Sequence, residues 1–412
     1  FYKSPGSHDE IYGTTVKLTN GKEQIQFQHY YPQRGFLSSM EHVLHFGIGV
    51  QDVIAKAEIT FPNQKKIVLH NVKANQVLTV YESDAIDIYE HIPVKSFALF
   101  KDISARGVLK YTQTENEFID FKREPLIPYK CSRKGPYYSL AAVNGNGQQY
   151  LYIGGAAGSE GKLMIQNTNG NFTEKKQLAF AADKKYEDMG SLFFDADGDG
   201  DLDLYVVSGG AEFKAGSNLY QDRLYLNDGK ANYSKSTTAL PAIGSNGSSV
   251  TALDFDKDGD MDLFIGGHVL PGVFPKADRS LLLQNNKGIF TDVTNQYAKA
   301  LLYPGVINQA IWADVDSDGK MELSICGEWM PPEIYSFENG QYIKKQSAVH
   351  IKSPANKDTL INMDALTGWW YNMKMTDLNN DGMPDFILGN RGMNSSIKGN
   401  IYEPCTIYAK DF

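Results

Sequence analysis

The chain has 412 residues, 49 acidic against 40 basic, a net charge of −9 and a hydrophobic fraction of 42%. That composition supports a sizeable packed core and excludes long disorder. The acidic balance, with no Lys/Arg run, excludes a nucleic-acid interface, and no apolar run reaches the roughly 18 residues of a membrane-crossing helix.

The chain opens at Phe1-Tyr2-Lys3 without an initiator Met and closes at Tyr408-Ala-Lys-Asp411-Phe412, where Asp411 would begin another repeat. It is expected to be a segment of a longer chain, so a missing leader or lipid-anchor motif carries no information. Cys131, Cys326 and Cys405 form no CxxC pair, which points away from zinc and from a disulfide framework. A disulfide between two of them stays open.

From the N-terminus, strands are expected at Thr14–Leu18 and Glu23–His29 around the Asn20-Gly21 turn. Others follow at Ala55–Phe61, Lys66–Leu69 and Gln76–Tyr81. Residues 1–85 read as a small β domain. Residues 86–135 connect it onward, and Phe100–Ser104 is expected as a closing strand of the last repeat.

From 136 to 412 the sequence repeats. Asp195-Ala-Asp197-Gly-Asp199-Gly-Asp201-Leu-Asp203 recurs as Asp254-Phe-Asp256-Lys-Asp258-Gly-Asp260-Met-Asp262. A third copy reads Asp314-Val-Asp316-Ser-Asp318-Gly-Lys320-Met-Glu322, and a fourth Asp377-Leu-Asn379-Asn-Asp381-Gly-Met383-Pro-Asp385. Their first aspartates are 59, 60 and 63 residues apart. A degenerate copy without carboxylates runs from Ala142 through Asn144 and Asn146 to Tyr150.

Between the loops a hairpin signal repeats: Met164 to Gly170, Leu224 to Gly229 and Leu282 to Gly288, each followed by an aromatic. Each period therefore holds about four strands, the content of one β-propeller blade. The fold class is all-β, with five blades visible, beginning near 136, 187, 246, 306 and 368, of seven or so when complete.

Alternate carboxylates with a Gly at position six suit calcium, a hard cation that takes six to eight oxygens. Positions one, three, five and nine are expected to give side-chain oxygens, and position seven (Asp201, Asp260, Lys320, Met383) a backbone carbonyl. An EF-hand would need a bidentate Glu at position twelve. Val206, Ile265, Ile325 and Leu388 stand there instead. The opposing reading, that such clusters are only turn residues, weakens as the loops recur in register. Bound metal would relieve the repulsion between crowded carboxylates and add to stability.

The repeats resemble the FG-GAP/VCBS repeats of integrin-like propellers over residues 99–412. The opening domain resembles the ASPIC/UnbV module through Arg34-Gly-Phe-Leu-Ser-Ser39, Leu44-His-Phe-Gly-Ile-Gly49, Phe61-Pro62 and Ala74-Asn-Gln-Val-Leu78. Asn116-Glu-Phe-Ile-Asp-Phe121, Ser132-Arg-Lys-Gly-Pro136, Gly327-Glu-Trp-Met-Pro331 and Gly368-Trp-Trp370 resemble large exported proteins of Bacteroidota. The resemblance implies further blades on both sides and a surface lipoprotein, in some members associated with SusC/SusD-like uptake machinery. It implies no catalytic activity.

His42, His45 and His268 form no metal-ligand spacing, no serine sits in G-x-S-x-G, and Gly244–Ser249 lacks a phosphate-loop Lys. Trp312, Trp329, Trp369 and Trp370 suit either inter-blade packing or a stacking platform for a glycan or peptide. Glu328 is a lone candidate acid. The reading is a calcium-stabilised, non-enzymatic surface binding or scaffolding module with a protein or glycan partner. The rival is a propeller-based carbohydrate-active enzyme, a lyase or hydrolase, which converging His, Tyr, Arg or paired carboxylates would favour. A third reading is a subunit of an outer-membrane uptake complex.

Overall fold

The computed structural model describes all residues except 8–9, 22–23, 34, 36–37, 86, 89–99, 103, 143–146, 353–357, 393 and 395–412. Arg34, Phe36, Leu37, Asn144, Asn146, Cys405 and Asp411 therefore lie outside the described residues. Two compact units form, Phe1–Lys101 and Asp102–Phe412.

In the first unit, β1 (Thr15–Thr19), β2 (Ile25–His29), β3 (Val53–Thr60), β4 (Lys65–Lys73) and β5 (Asp87–Ile88) make one antiparallel sheet in the order β2-β1-β3-β4-β5. Alternation places Val16, Ala57, Ile59 and Ile67 on one face, where Phe61 and Val80 complete the core. The expected strand at 76–81 is irregular chain. Only Tyr81 bridges, to Tyr2, and Val80 accepts a hydrogen bond from Tyr2 N (3.1 Å). Val77 is 81% exposed, so that stretch lacks the two-sided packing a strand needs.

The second unit is a series of antiparallel blades, the first three separate four-stranded sheets and the last two joined in one six-stranded sheet. Blade 1 holds β6 (Tyr138–Ala142), β7 (Gln149–Ile153), β8 (Lys162–Gln166) and β9 (Phe172–Glu174). Blade 2 holds β10 (Asp188–Phe194), β11 (Asp203–Ser208), β12 (Arg223–Asn227) and β13 (Tyr233–Lys235). Blade 3 holds β14 (Gly247–Leu253), β15 (Asp262–Gly267), β16 (Leu281–Asn286) and β17 (Ile289–Asp292). Blade 4 holds β18 (Val306–Ala313), β19 (Glu322–Met330), β20 (Glu333–Glu338) and β21 (Gln341–Lys344). A hairpin, β22 (Ala348–Lys352) and β23 (Asp358–Asn362), precedes β24 (Gly368–Thr376) and β25 (Asp385–Asn390), the described strands of blade 5.

The strands begin where the 60-residue period places them. In blades 2 to 5 the first strand carries a bulge near its start, as at Asp188/Gly190 and Gly247/Ser249. There Gly190 admits the next blade: a Cβ on it would lie 2.9 Å from Ser248 O.

Cores form between blades. Tyr152 and Leu163 of blade 1 meet Phe193, Leu204, Val206 and Tyr225 of blade 2. Tyr205 and Leu224 then meet Leu263, Ile265 and Leu283, and Phe264 and Leu282 meet Ile307, Leu323 and Ile325. Strands packed on both faces explain the apolar runs after each Asp loop. Polar contacts also cross between blades, and one between blades 1 and 2 centres on an ion pair. Buried Asp188 accepts from Arg223 Nη2 (2.5 Å), Tyr152 Oη (2.7 Å) and Gly155 N (2.8 Å).

Residues 108–136, expected only as a connection, form a strap within this unit. Val108 O accepts from Phe172 N of blade 1 (2.8 Å), and Arg123 Nη1 donates to Ala211 O (2.8 Å) and Phe213 O (2.6 Å) of blade 2. Glu124 accepts from Phe274 N of blade 3 (2.8 Å). The closing strand expected at 100–104 is corrected. Its described residues lie outside every strand, because Asp102 Oδ1 accepts from Ser104 N (2.8 Å) and starts a short 3-10 turn at Ser104–Arg106.

Candidate metal centres

Each Asp loop joins the first and second strands of a blade and turns twice through left-handed backbone. Position six is Gly200 (φ 91°), Gly259 (φ 99°), Gly319 (φ 84°) and Gly382 (φ 85°). Position four is Gly198, Lys257, Ser317 or Asn380, with φ between 59° and 79°.

Position one folds the loop around itself. Asp195 accepts from Gly198 N (2.8 Å) and Gly200 N (3.0 Å), and Asp254 from Asp258 N (3.1 Å) and Gly259 N (3.0 Å). Asp314 and Asp377 do the same in their loops.

Position nine locks the loop to its blade. Buried Asp203 accepts from Ala196 N (3.0 Å) and Asn227 N (2.8 Å), and buried Asp262 from Phe255 N (3.0 Å) and Asn285 N (2.7 Å). Glu322 accepts from Val315 N and Asp385 from Leu378 N. The Asn of the second and third hairpin signals, Asn227 and Asn285, is thus the partner of position nine, which ties these two landmarks together. Asn285 Nδ2 also donates to Ala196 O of the preceding loop (2.8 Å), tying blade 3 to blade 2.

Carboxylates converge at three places among the described residues. Oxygens of Asp195, Asp197 and Asp199 lie within 4.8 Å of one another, as do those of Asp254, Asp256 and Asp262, and of Asp314, Asp316 and Glu322. Burial, and then neighbouring Asp199 and Asp195, push the Asp197 carboxyl up; burial pushes Asp203 and Asp262 up to about 7. Oxygen-only donors gathered under mutual repulsion fit a hard divalent cation.

The position-seven side chains reach elsewhere: Asp260 Oδ2 accepts from Lys287 N (2.8 Å). The third loop supplies its own cations, with Lys345 Nζ 2.7 Å from Asp316 and Lys320 Nζ 3.0 Å from Asp318. In the fourth loop Asp377, Asp381 and Asp385 form no such three-carboxylate group. Position twelve lies within β11, β15, β19 and β25, so the loops are not EF-hands.

Sequence reasoning missed a polar cluster at the opposite ends of these strands. Lys134 Nζ of the strap lies 2.8 Å from Glu328 Oε1 and 2.7 Å from His268 Nε2, and Tyr129 Oη bonds Glu328. Glu328 therefore has partners. Burial, followed by Lys134, holds the His268 pKa well below its ordinary value. His42 pairs with Glu10 and His45 with Glu41, both in the first unit. Cys131 and Cys326 are buried free thiols pushed up to about 12 by burial, which leaves them unreactive. Trp312 packs in the blade 3–4 core beside Tyr342.

Residues 4–87 match the family model described as ASPIC and UnbV, and residues 143–206 and 210–265 match that of the FG-GAP-like repeat. No curated protein matches the chain. The second unit has the antiparallel sheets of β-propeller blades, the segments that match the FG-GAP-like repeat cover most of its first two blades and the start of the third, and the first unit holds the segment that matches ASPIC and UnbV. The blade pattern continues past residue 265 through β18–β21 and β24–β25.

Proposed function

We propose that this chain is a non-enzymatic, calcium-stabilised binding or scaffolding module, exported to the cell surface. The supporting observation is the recurrence, in register, of three oxygen-only carboxylate clusters on loops that each join two core strands. Calcium supplies charge neutralisation there. Asp197, Asp199, Asp256 and Asp316 would hold the ion together with the carboxylates at positions one and nine, which also brace the loop. An outer-membrane lipoprotein that serves a SusC/SusD-like uptake complex is the cellular setting the resemblance implies. Calorimetric titration of metal-stripped protein tests the metal. Two or three calcium ions are expected to bind, one fewer in Asp256→Ala, and absence of binding would contradict the reading.

One observation favours a carbohydrate-active enzyme: the convergence of Tyr129, Lys134, His268 and Glu328. Its burial argues against that role. The Glu328 side chain is 0% exposed and His268 is 1% exposed, so no substrate atom reaches either. Assay against neutral and acidic polysaccharides, with product detection, is expected to show no turnover.

A further inference from the structure

Where blade 4 meets blade 5, at the ends of the strands opposite the Asp loops, an arginine stands without a counter-ion among the described residues. Arg391 follows β25, and its guanidinium carbon lies 4.8 Å from the centre of the Trp369 ring and 5.9 Å from that of Tyr129. Its side chain makes one long hydrogen bond, 3.4 Å to Tyr371 Oη. Among the described residues no carboxylate lies within 4.0 Å of it. The buried acid of this region, Glu328, is already held by Lys134 and Tyr129. Among the described residues, Lys134 and Arg391 stand against the single carboxylate of Glu328, one cation more than it can pair.

The backbone here is distorted as well. Glu328 pairs with Trp369 and Met330 with Gly368, so Trp329 is an unpaired bulge, held at φ 58°. A bulky side chain adopts that conformation only where its surroundings impose it. The bulge sets the Trp329 and Trp369 ring centres 5.1 Å apart, edge to face, and among the described residues the buried Trp329 indole Nε1 has no partner. Arg391 also lines, with Tyr371, Asn372, Gly389, Asn390 and Asn394, an open depression of about 430 Å³.

The geometry points to this depression as a binding site for a sugar acid, a pyranose carrying a carboxylate. A guanidinium stacked on an indole is pre-oriented, and its planar fork matches a carboxylate in two parallel hydrogen bonds. Asn side chains offer both a donor and an acceptor, which is what vicinal hydroxyls require. Asn390 Oδ1 is engaged by Gly392 N (2.6 Å), so its amide group serves as a donor. A neutral sugar would leave the surplus charge unmatched, and a simple carboxylate would leave the three amides unused. The inference deepens the reading of the chain as a binding module and rests on it, but it does not involve the metal loops.

The test uses the full chain with calcium present, titrated with tri-galacturonate, a neutral glucose trisaccharide and N-acetylglycine. Tri-galacturonate is expected to bind, and Arg391→Gln and Arg391→Lys each to weaken it at least about tenfold, since a bidentate charged contact is lost. Lys257→Gln, on a distant Asp loop, is expected to leave sugar binding unchanged. Thermal unfolding and calcium stoichiometry of each variant report folding separately. No binding of tri-galacturonate, or binding by the Arg391 variants as tight as by the unmodified chain, would overturn the site. The glucose trisaccharide binding as tightly would overturn the charge assignment, and N-acetylglycine binding as tightly would overturn the sugar. Calcium uptake with no sugar binding would overturn this site alone.

Discussion

Lys134 and Glu328 meet across 194 positions of sequence, in surroundings where their side chains are 11% and 0% exposed. Removing one partner from such a pair leaves an uncompensated buried charge. Lys134→Met is therefore expected to cost on the order of 3–5 kcal/mol, and adding Glu328→Gln to recover most of it. Denaturant unfolding of the single and double variants measures both. Glu187 gives a pH signature. Burial first, and then the charge of Glu212, push its carboxyl from 4.5 up to about 9. The unfolded chain thus releases this proton before the folded one does. The group's contribution to stability is complete below pH 4.5 and is lost as pH rises towards 9. Glu187→Gln is expected to flatten the stability–pH curve over that range, and a slope identical to that of the unmodified chain would refute the assignment. Neither residue announces itself in sequence. Lys134 sits in an unpatterned connection, and Glu187 is one acid among many until folding sets it against Glu212.

At the scale of the element, Asp loop and hairpin act as one unit, because Asp203 and Asp262 accept from the backbone of Asn227 and Asn285. Asn285→Ala removes donors to Ala196 O and Met261 O and an acceptor for Gly288 N. It is expected to cost about 1–3 kcal/mol, the range for leaving buried groups unpaired, measured by urea unfolding. The blade faces differ in the same way. Leu204, fully buried between blades 1 and 2, is expected to cost about 2–5 kcal/mol on truncation to Ala. Leu140 of blade 1 is 56% exposed, and its truncation is expected to change stability by less than about 0.5 kcal/mol. The strands of the blades were legible because turn residues bracket apolar runs at a fixed period. The strand expected at 76–81 failed because alternation alone does not supply a neighbour to pair with.

For the whole molecule, the repeat was the legible part. The four carboxylate loops, their period and the exclusion of EF-hands follow from spacing. The strap was not legible, since Arg123, Glu124, Tyr129 and Lys134 act through tertiary contacts with blades 2, 3 and 4 that leave no local pattern. Nor did spacing distinguish the third loop, where Lys345 and Lys320 already neutralise part of the charge. That loop is expected to bind calcium more weakly than the loops at 195–203 and 254–262. The most direct measurement is thermal unfolding of metal-stripped protein as calcium is added, in the unmodified chain and in Asp197→Ala/Asp256→Ala. A ligand at 100 times its dissociation constant stabilises by about 2.7 kcal/mol per site, so Tm is expected to climb by several degrees with calcium. The double variant is expected to lose most of that climb. A Tm that ignores calcium in the unmodified chain would show that the Asp loops are turns alone and that metal has no part in holding the blades.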